Sequence, residues 1–244
     1  MSSRASATSP GVRSMADLVL RPIECLTRNG FRFRLRCSWV DQPKRWAAWM
    51  MLNPSNAGRR GRDGETISDP TIDFIARITN SWGDYDGCDV VNLYPFQQGA
   101  QGRMWDWRDA QLATYGSKSA WFASRDMQDN LAQIEEAGRG ACLRVAGFGG
   151  KVKDRDWVRV CLERFEQSIE DCVCLDTTRK HWPCHPHPQL VRDRFPDDAP
   201  RRPWQPRGYR NDSPPLRDGV ITPGVSQGTA EPPDFRHRLL APGQ

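Results

Sequence analysis

Two carboxamides and one imidazole sit where an apolar sequence has least use for them. Asn53 closes the apolar run WAAWMMLNP (46–54). Pro54 cannot extend a hydrogen-bonded ladder, so the Asn53 amide is projected past the strand end, where it can hold a water or a ligand atom. An Asn-Pro turn that only stops the strand has the same sequence. Asn92 lies inside VVNLYPF (90–96), so the hydrogen-bonding capacity of an amide must be met in a nearly dry place. A planar heterocycle or amide edge with one donor beside one acceptor would meet it, and so would neighbouring loop backbone. The third group is in HWPCHPHP (181–188), where His185 is held between prolines. A stiffened histidine suits donation of an N–H to an oxygen on which negative charge builds, although a surface Pro-rich loop with incidental histidines reads alike.

Two other patterns carry less. GFGG (147–150) could turn into a helix whose amides face an anion, but it lacks the spacing of a dinucleotide loop, and the chain has no GxxxxGK[ST] motif. A plain strand-to-helix turn is the simpler reading. His181, Cys184, His185 and His187, with Cys172 and Cys174 before them, invite comparison with zinc ligands. There is no CxxC pair, and three prolines separate the side chains, so no metal and no cofactor are expected.

The elements that must position these groups alternate along the chain. Apolar runs at 46–54, 88–96, 141–150 and 171–176 read as strands buried on both faces. Amphipathic stretches at 71–83, about 108–137, and 156–170 read as helices, the first opened by Asp69-Pro70. Strand, helix, strand in repetition predicts an α/β fold, a parallel sheet covered on both faces. Segments 21–26 and 31–39, joined by Thr27-Arg28-Asn29-Gly30, predict an antiparallel hairpin. Ligands in such sheets bind beyond the carboxyl ends of the strands, near the reversal of strand order. Asn53, Asn92, GFGG and the His-Pro loop all fall at strand ends.

Charge and composition set the limits. The 244-residue chain is 38% hydrophobic and 27% charged, with a net charge of +5. Residues 1–45 hold nine Lys and Arg against three Asp and Glu, whereas 46–195 are slightly acidic. Within the N-terminal part, Arg28, Arg32, Arg34 and Arg36 alternate with Phe31, Phe33 and Leu35. As a strand this predicts a basic stripe beside a core face: a solvated surface, or a ribbon that touches phosphates. Ten of the nineteen prolines lie in residues 196–244, so that stretch and residues 1–16 are expected to be disordered tails around one domain, 17–195. No apolar run is long enough for a membrane span or a secretion signal, so a cytoplasmic location with no membrane partner is expected. In a domain of this size the eight cysteines read as reduced thiols.

Taken together, FRFRLRCSW, MLNPS, SDPTIDFIARITNSWG, DVVNLYPF, VAGFGG and CLDTT…CHPHP resemble, in order and spacing, the bacterial and phage family known as domain of unknown function 1643, over roughly residues 28–192. A more distant resemblance is to the α/β uracil-DNA glycosylase superfamily. MLNPS is similar to its GINPG motif at Asn53 and Pro54, VVNL to the strand ending in a base-reading Asn at Asn92, and HPHP to its HPSP loop at His185, Pro186 and Pro188. That resemblance implies a three-layer αβα sandwich with a mainly parallel four-stranded sheet plus the N-terminal hairpin. It further implies a protein that binds a nucleobase or nucleotide and hydrolyses an N-glycosidic bond. Asn53 would then orient the water and His185 hold the departing base anion, as the catalytic pair. Asn92 would read the base edge, with Tyr94 or Phe96 stacking on it, and Pro54, Ser55, Pro186 and His187 would line the site. Ser55 stands where GINPG has Gly, and His187 where HPSP has Ser. Asp69 and Asp73 are candidates for a stronger base, Asp69 reading first as a helix cap. The alternatives are a non-catalytic nucleic-acid or nucleotide-binding module and a nucleobase-modifying enzyme.

Overall fold

A computed structural model describes residues 20–55, 69–98, 101–166, 172–186 and 200–204. Four apolar strands form the middle of the sheet: β3 (Trp46–Met51), β4 (Gly87–Asn92), β5 (Leu143–Ala146) and β6 (Cys172–Cys174). All four run parallel, with β3 between β4 and β5 and β6 beyond β5. Every residue of β3 and β4 is buried, as expected of strands covered on both faces.

The hairpin forms as expected. Strands β1 (Arg21–Arg28) and β2 (Phe31–Ser38) pair antiparallel. Asn29 and Gly30 both take positive φ, 51° and 82°, the backbone a two-residue hairpin turn needs. β2 then docks antiparallel on β4. A seventh strand, β7 (Arg202–Pro203), pairs with β6. The sheet therefore has seven strands in the order β1-β2-β4-β3-β5-β6-β7 rather than a four-stranded core plus hairpin. The extra strand comes from the Pro/Arg-rich stretch read as a tail. Trp204 is buried there, contacts the Phe148 ring edge-on, and donates its Nε1 to the His181 carbonyl at 3.2 Å, so one aromatic anchor holds a segment that composition alone marks as unfolded. Residues 1–16 and 205–244 lie outside the described residues.

Helix α1 (Pro70–Ser81) starts where the sequence predicts: the Asp69 carboxylate accepts the Thr71 amide at 2.8 Å, and Pro70 opens the first turn. Its Ile72, Ile75 and Ile78 pack on one sheet face against Ala47, Trp49, Met51, Cys88, Val90 and Val145. The opposite face, carrying Ala48, Met50, Val91 and Leu93, packs against residues from α2 (Gln101–Tyr115), α3 (Lys118–Phe122), α4 (Arg125–Gly140) and α5 (Arg155–Phe165). The long helical region thus divides into three. It breaks at Gly116, with φ 72°, and again at Ser124.

The arginine stripe is neither a solvated surface nor a phosphate ribbon. Arg34 is 2% exposed and binds Asp89 on β4, and Arg36 joins the same carboxylate at 2.9 Å. The alternation is also interrupted. Leu26 pairs with Arg34 and Thr27 with Arg32, so Phe33 is an extra residue, a bulge that offsets Arg32 from the alternation. Arg28 turns to α4 and bridges Asp126 and Asp129.

Candidate functional site

Strand order reverses at β3. The chain leaves its carboxyl end for β4 on one side and resumes at β5 on the other. The Asn53-Pro54-Ser55 turn and Gly147–Gly150 face each other across this point, the crevice where α/β sheets place ligands.

The turn after β3 is tied to the loop after β4. Asn53 Nδ2 donates to the Gln98 carbonyl at 2.6 Å, and the Gln98 amide returns a bond to the buried Pro54 carbonyl at 2.9 Å. The Ser55 carbonyl accepts from Gln97 Nε2 at 3.0 Å and from the buried Arg32 Nη1 at 3.3 Å. Asn53 itself is half-buried. Its nitrogen serves the loop, and its Oδ1 is the atom that suits holding a water.

Asn92 ends β4 opposite Met51. By alternation it shares the α1-facing side of the sheet with Cys88 and Val90, which lie in the cluster around that helix. It is 1% exposed, and neither its Nδ2 nor its Oδ1 has a hydrogen-bond partner among the described residues. Its backbone is satisfied from the opposite side: Asn130 Nδ2 donates to the Asn92 carbonyl at 2.9 Å, and Trp157 Nε1 to the Leu93 carbonyl at 2.7 Å. A buried amide left without partners costs about 1–3 kcal/mol per group. A ligand offering a donor beside an acceptor recovers that cost.

The glycines after β5 seat the His-Pro loop rather than an anion. A Cβ on Gly147 would lie 2.9 Å from Met51 Sδ and 3.3 Å from Pro186 Cδ, and one on Gly149 would lie 3.1 Å from His185 Cβ. Gly149 also has φ 77°, so close approach and backbone both call for glycine there. The loop is closed by a bridge between Thr177 and Pro183 and by the Cys184 amide donating to the Asp176 carbonyl at 2.7 Å. His185 is half-buried and Pro186 buried. His187 lies outside the described residues. With neighbouring strands about 4.8 Å apart, Asn92 on β4 and Gly147 beyond β5 stand roughly 10 Å apart across β3. Asn53, Asn92 and His185 thus come to one rim of the sheet.

The two aromatic candidates differ in exposure. Tyr94 is fully buried, stacked on Trp121, with its hydroxyl donating to Asp154 Oδ2 at 2.8 Å. Burial pushes its hydroxyl pKa upward, and the neighbouring Asp154 carboxylate adds to the shift. Phe96 is half-buried and stacks on Trp107 with ring centroids 4.8 Å apart. Asp69 has its carboxylate engaged in capping α1, while Asp73 stands half-buried in the first turn of that helix.

Sequence reasoning missed the buried charge that supports this rim. Asp154, 1% exposed, takes Arg108 along both carboxylate oxygens, with Lys118 Nζ at 3.1 Å and the Tyr94 hydroxyl. It joins the β4 loop, α2, α3 and the start of α5. Nothing in KVKDRDW distinguishes this Asp from its neighbours. Asp89 had a signal: a carboxylate inside the apolar run CDVVN must find a cation, and the arginines of β2 alternate at the matching period. Among the described residues, no three His, Cys, Asp or Glu side chains gather as a metal site, and no helix is long and apolar enough to cross a membrane.

A family model described as "Protein of unknown function (DUF1643)" matches residues 32–187, more than half of the chain. The chain belongs to this family. The DUF1643 span opens on β2 and closes at the His-Pro loop, so Asn53, Asn92 and His185 all fall inside it. No curated protein and no solved structure matches this DUF1643 chain.

Proposed function

We propose that the rim formed by Asn53, Asn92 and His185 binds a nucleobase, free or within a nucleotide or nucleic acid, and hydrolyses its N-glycosidic bond. The single observation that carries this reading is the Asn92 amide, buried with both polar atoms unpartnered among the described residues. A nucleobase edge presents an acceptor beside a donor, the complement of that amide. The resemblance of MLNPS, VVNL and HPHP to the uracil-DNA glycosylase superfamily supports the assignment. The position of the three residues near the strand-order reversal agrees with it.

In this reading Asn92 pairs with the base edge, and Phe96, more open than Tyr94, stacks on the base. Tyr94 instead anchors the loop through Asp154. Asn53 Oδ1 orients the attacking water. An amide is a poor proton acceptor, so the bond to the leaving base must be largely broken before water adds, and turnover is slow. His185 donates an N–H to the base oxygen on which charge collects, with Pro186 fixing its backbone. Ser55 and His187 would border the sugar and phosphate. With Arg34 and Arg36 engaged by Asp89, phosphate contacts must come from elsewhere on the chain.

The engagement of the Asn53 nitrogen by the Gln98 carbonyl favours a second reading, a binding module that keeps the base-reading residues without the reaction. One experiment separates the two. Oligonucleotides carrying uracil, hypoxanthine, xanthine or hypermodified bases are incubated with the protein and scored for alkali-labile sites. Cleavage abolished in Asn53→Ala and His185→Ala supports hydrolysis. Binding that depends on Asn92 but yields no cleavage at any base supports the module, and neither binding nor cleavage refutes both.

A further inference from the structure

The geometry points to Cys37 and Cys88 as an oxidation site, a thiol pair that a hydroperoxide converts to a disulfide across β2 and β4. Cys37 lies directly opposite Cys88 in the antiparallel register. Directly opposed residues on antiparallel strands have Cα atoms about 4.5–5.5 Å apart, inside the roughly 4.4–6.8 Å a disulfide spans. The Cα spacing is therefore within the reach of a disulfide. Both side chains belong to the apolar cluster under α1, so they point to the same side of the sheet. Both are free thiols, 4% and 0% exposed.

The pair is chemically unequal. Contact with the Cys88 thiol makes Cys37 the easier of the two to ionise, against the opposing effect of burial and with help from Arg32. Cys88 is pushed well above the usual thiol range by its hydrogen bond with Cys37 and by burial. Cys37 also keeps the greater exposure, 4% against 0%, so it is the sulfur that attacks. Its thiolate breaks the O–O bond of hydrogen peroxide, gains one oxygen as a sulfenic acid and releases hydroxide, which takes up the Cys37 proton as water. The Cys88 sulfur then displaces hydroxide from the Cys37 sulfur, and the Cys88 proton completes a second water. Two thiols are oxidised, and one peroxide is reduced to two waters.

The consequence is a covalent clamp on a functional segment. A bond between positions 37 and 88 closes a loop containing β3, the Asn53-Pro54-Ser55 turn and α1, so the segment that carries Asn53 is held at both ends. Closing a loop of this length removes freedom from the unfolded chain. In a reducing compartment the bond reverses with thiols, which suits a sensor rather than a permanent staple.

The test uses the full chain, fully reduced and then treated with hydrogen peroxide. Remaining thiols are alkylated under denaturing conditions, and the non-reduced digest is mapped by mass spectrometry. The expected result is a Cys37–Cys88 linked peptide that dithiothreitol removes, with a rise in Tm of roughly 5 °C or more. Cys37→Ser and Cys88→Ala each lose the linked peptide and the rise. Exposure alone would instead direct peroxide to Cys142, the exposed thiol among the described residues. Recovery of Cys37 and Cys88 alkylated, beside an oxidised Cys142, overturns the proposal. So does a linked peptide joining other cysteines, or a Tm rise that survives in Cys37→Ser. Because the wild-type map decides by itself, a variant that fails to fold does not leave the matter open.

Discussion

Arg34 on β2 grips Asp89 on β4 along two edges, Nε to Oδ1 at 2.9 Å and Nη2 to Oδ2 at 2.6 Å, with the two side chains 3% and 1% exposed. Arg36 adds a bond to the same Oδ2, and Glu136 on α4 takes the outer nitrogen of Arg34 at 2.7 Å. The network joins the hairpin to the parallel sheet and the sheet to a helix.

Breaking this network by halves should be severe. Asp89→Ala leaves the Arg34 guanidinium buried without its main counter-charge, and the expected loss is about 3–5 kcal/mol in urea unfolding. Replacing both partners, Arg34→Met with Asp89→Leu, should recover most of that loss. A double variant as unstable as the single one would show that the pair contributes more than mutual neutralisation.

Asn92 should behave in the opposite way. Asn92→Leu keeps the shape and removes an amide whose desolvation no hydrogen bond offsets among the described residues, so Tm should hold or rise. Nucleobase binding, read by titration of free bases against the purified protein, should vanish. A fall in stability beyond about 2 kcal/mol would mean that the amide has a structural role.

Asp154 should govern stability in acid. Burial alone would raise its pKa, but hydrogen bonds from Arg108, Tyr94 and Lys118 outweigh burial and bring it below its ordinary value of 3.8. A carboxyl group depressed in the folded state contributes stability that is fully present above its unfolded value and is lost as pH falls through the folded one. Unfolding free energy measured from pH 6 down to about pH 2 should therefore decline below pH 4. In Asp154→Asn the starting stability should be lower, and the acid decline shallower by one group. An unchanged acid limb in that variant would remove Asp154 from the account.

Gly138 offers a test in which helix propensity predicts the wrong sign. A Cβ there would fall 2.3 Å from the Phe165 carbonyl oxygen of the neighbouring helix. Gly138→Ala should therefore destabilise by roughly 1–3 kcal/mol through overpacking, although Ala is favoured in an isolated helix by about 1 kcal/mol. Gly102→Ala in α2, with nothing within 4 Å of the added carbon, should be neutral or stabilising. Thermal melts of the two variants give the comparison.

Much of the fold was legible because its signals are local. Buried strands appear as uninterrupted apolar runs, α1 announces itself through Asp69-Pro70, and the hairpin through Asn29-Gly30. The long helical region breaks at Gly116 and Ser124, where a glycine in positive φ and the N-cap serines Ser117 and Ser124 are local signals too short to set apart from a helix that tolerates Gly and Ser. β7 was hidden by composition: what holds it is Trp204 packed against Phe148, a contact between residues far apart in the chain.

The candidate site divides in the same way. That Asn53, Asn92 and the His-Pro loop stand at strand ends can be read locally, because termination by Pro and Gly is a property of neighbouring residues. The packing of the sheet brings these ends to one rim, since that depends on β3 lying between β4 and β5. It also decides that Arg34 and Arg36 turn to Asp89, that Tyr94 belongs to the core, and that the Asn92 side chain has no hydrogen-bond partner among the described residues. Each of these is settled by which distant groups arrive at a given point in space, and hydrogen-bond satisfaction and burial are sums over those arrivals rather than over neighbours in the chain.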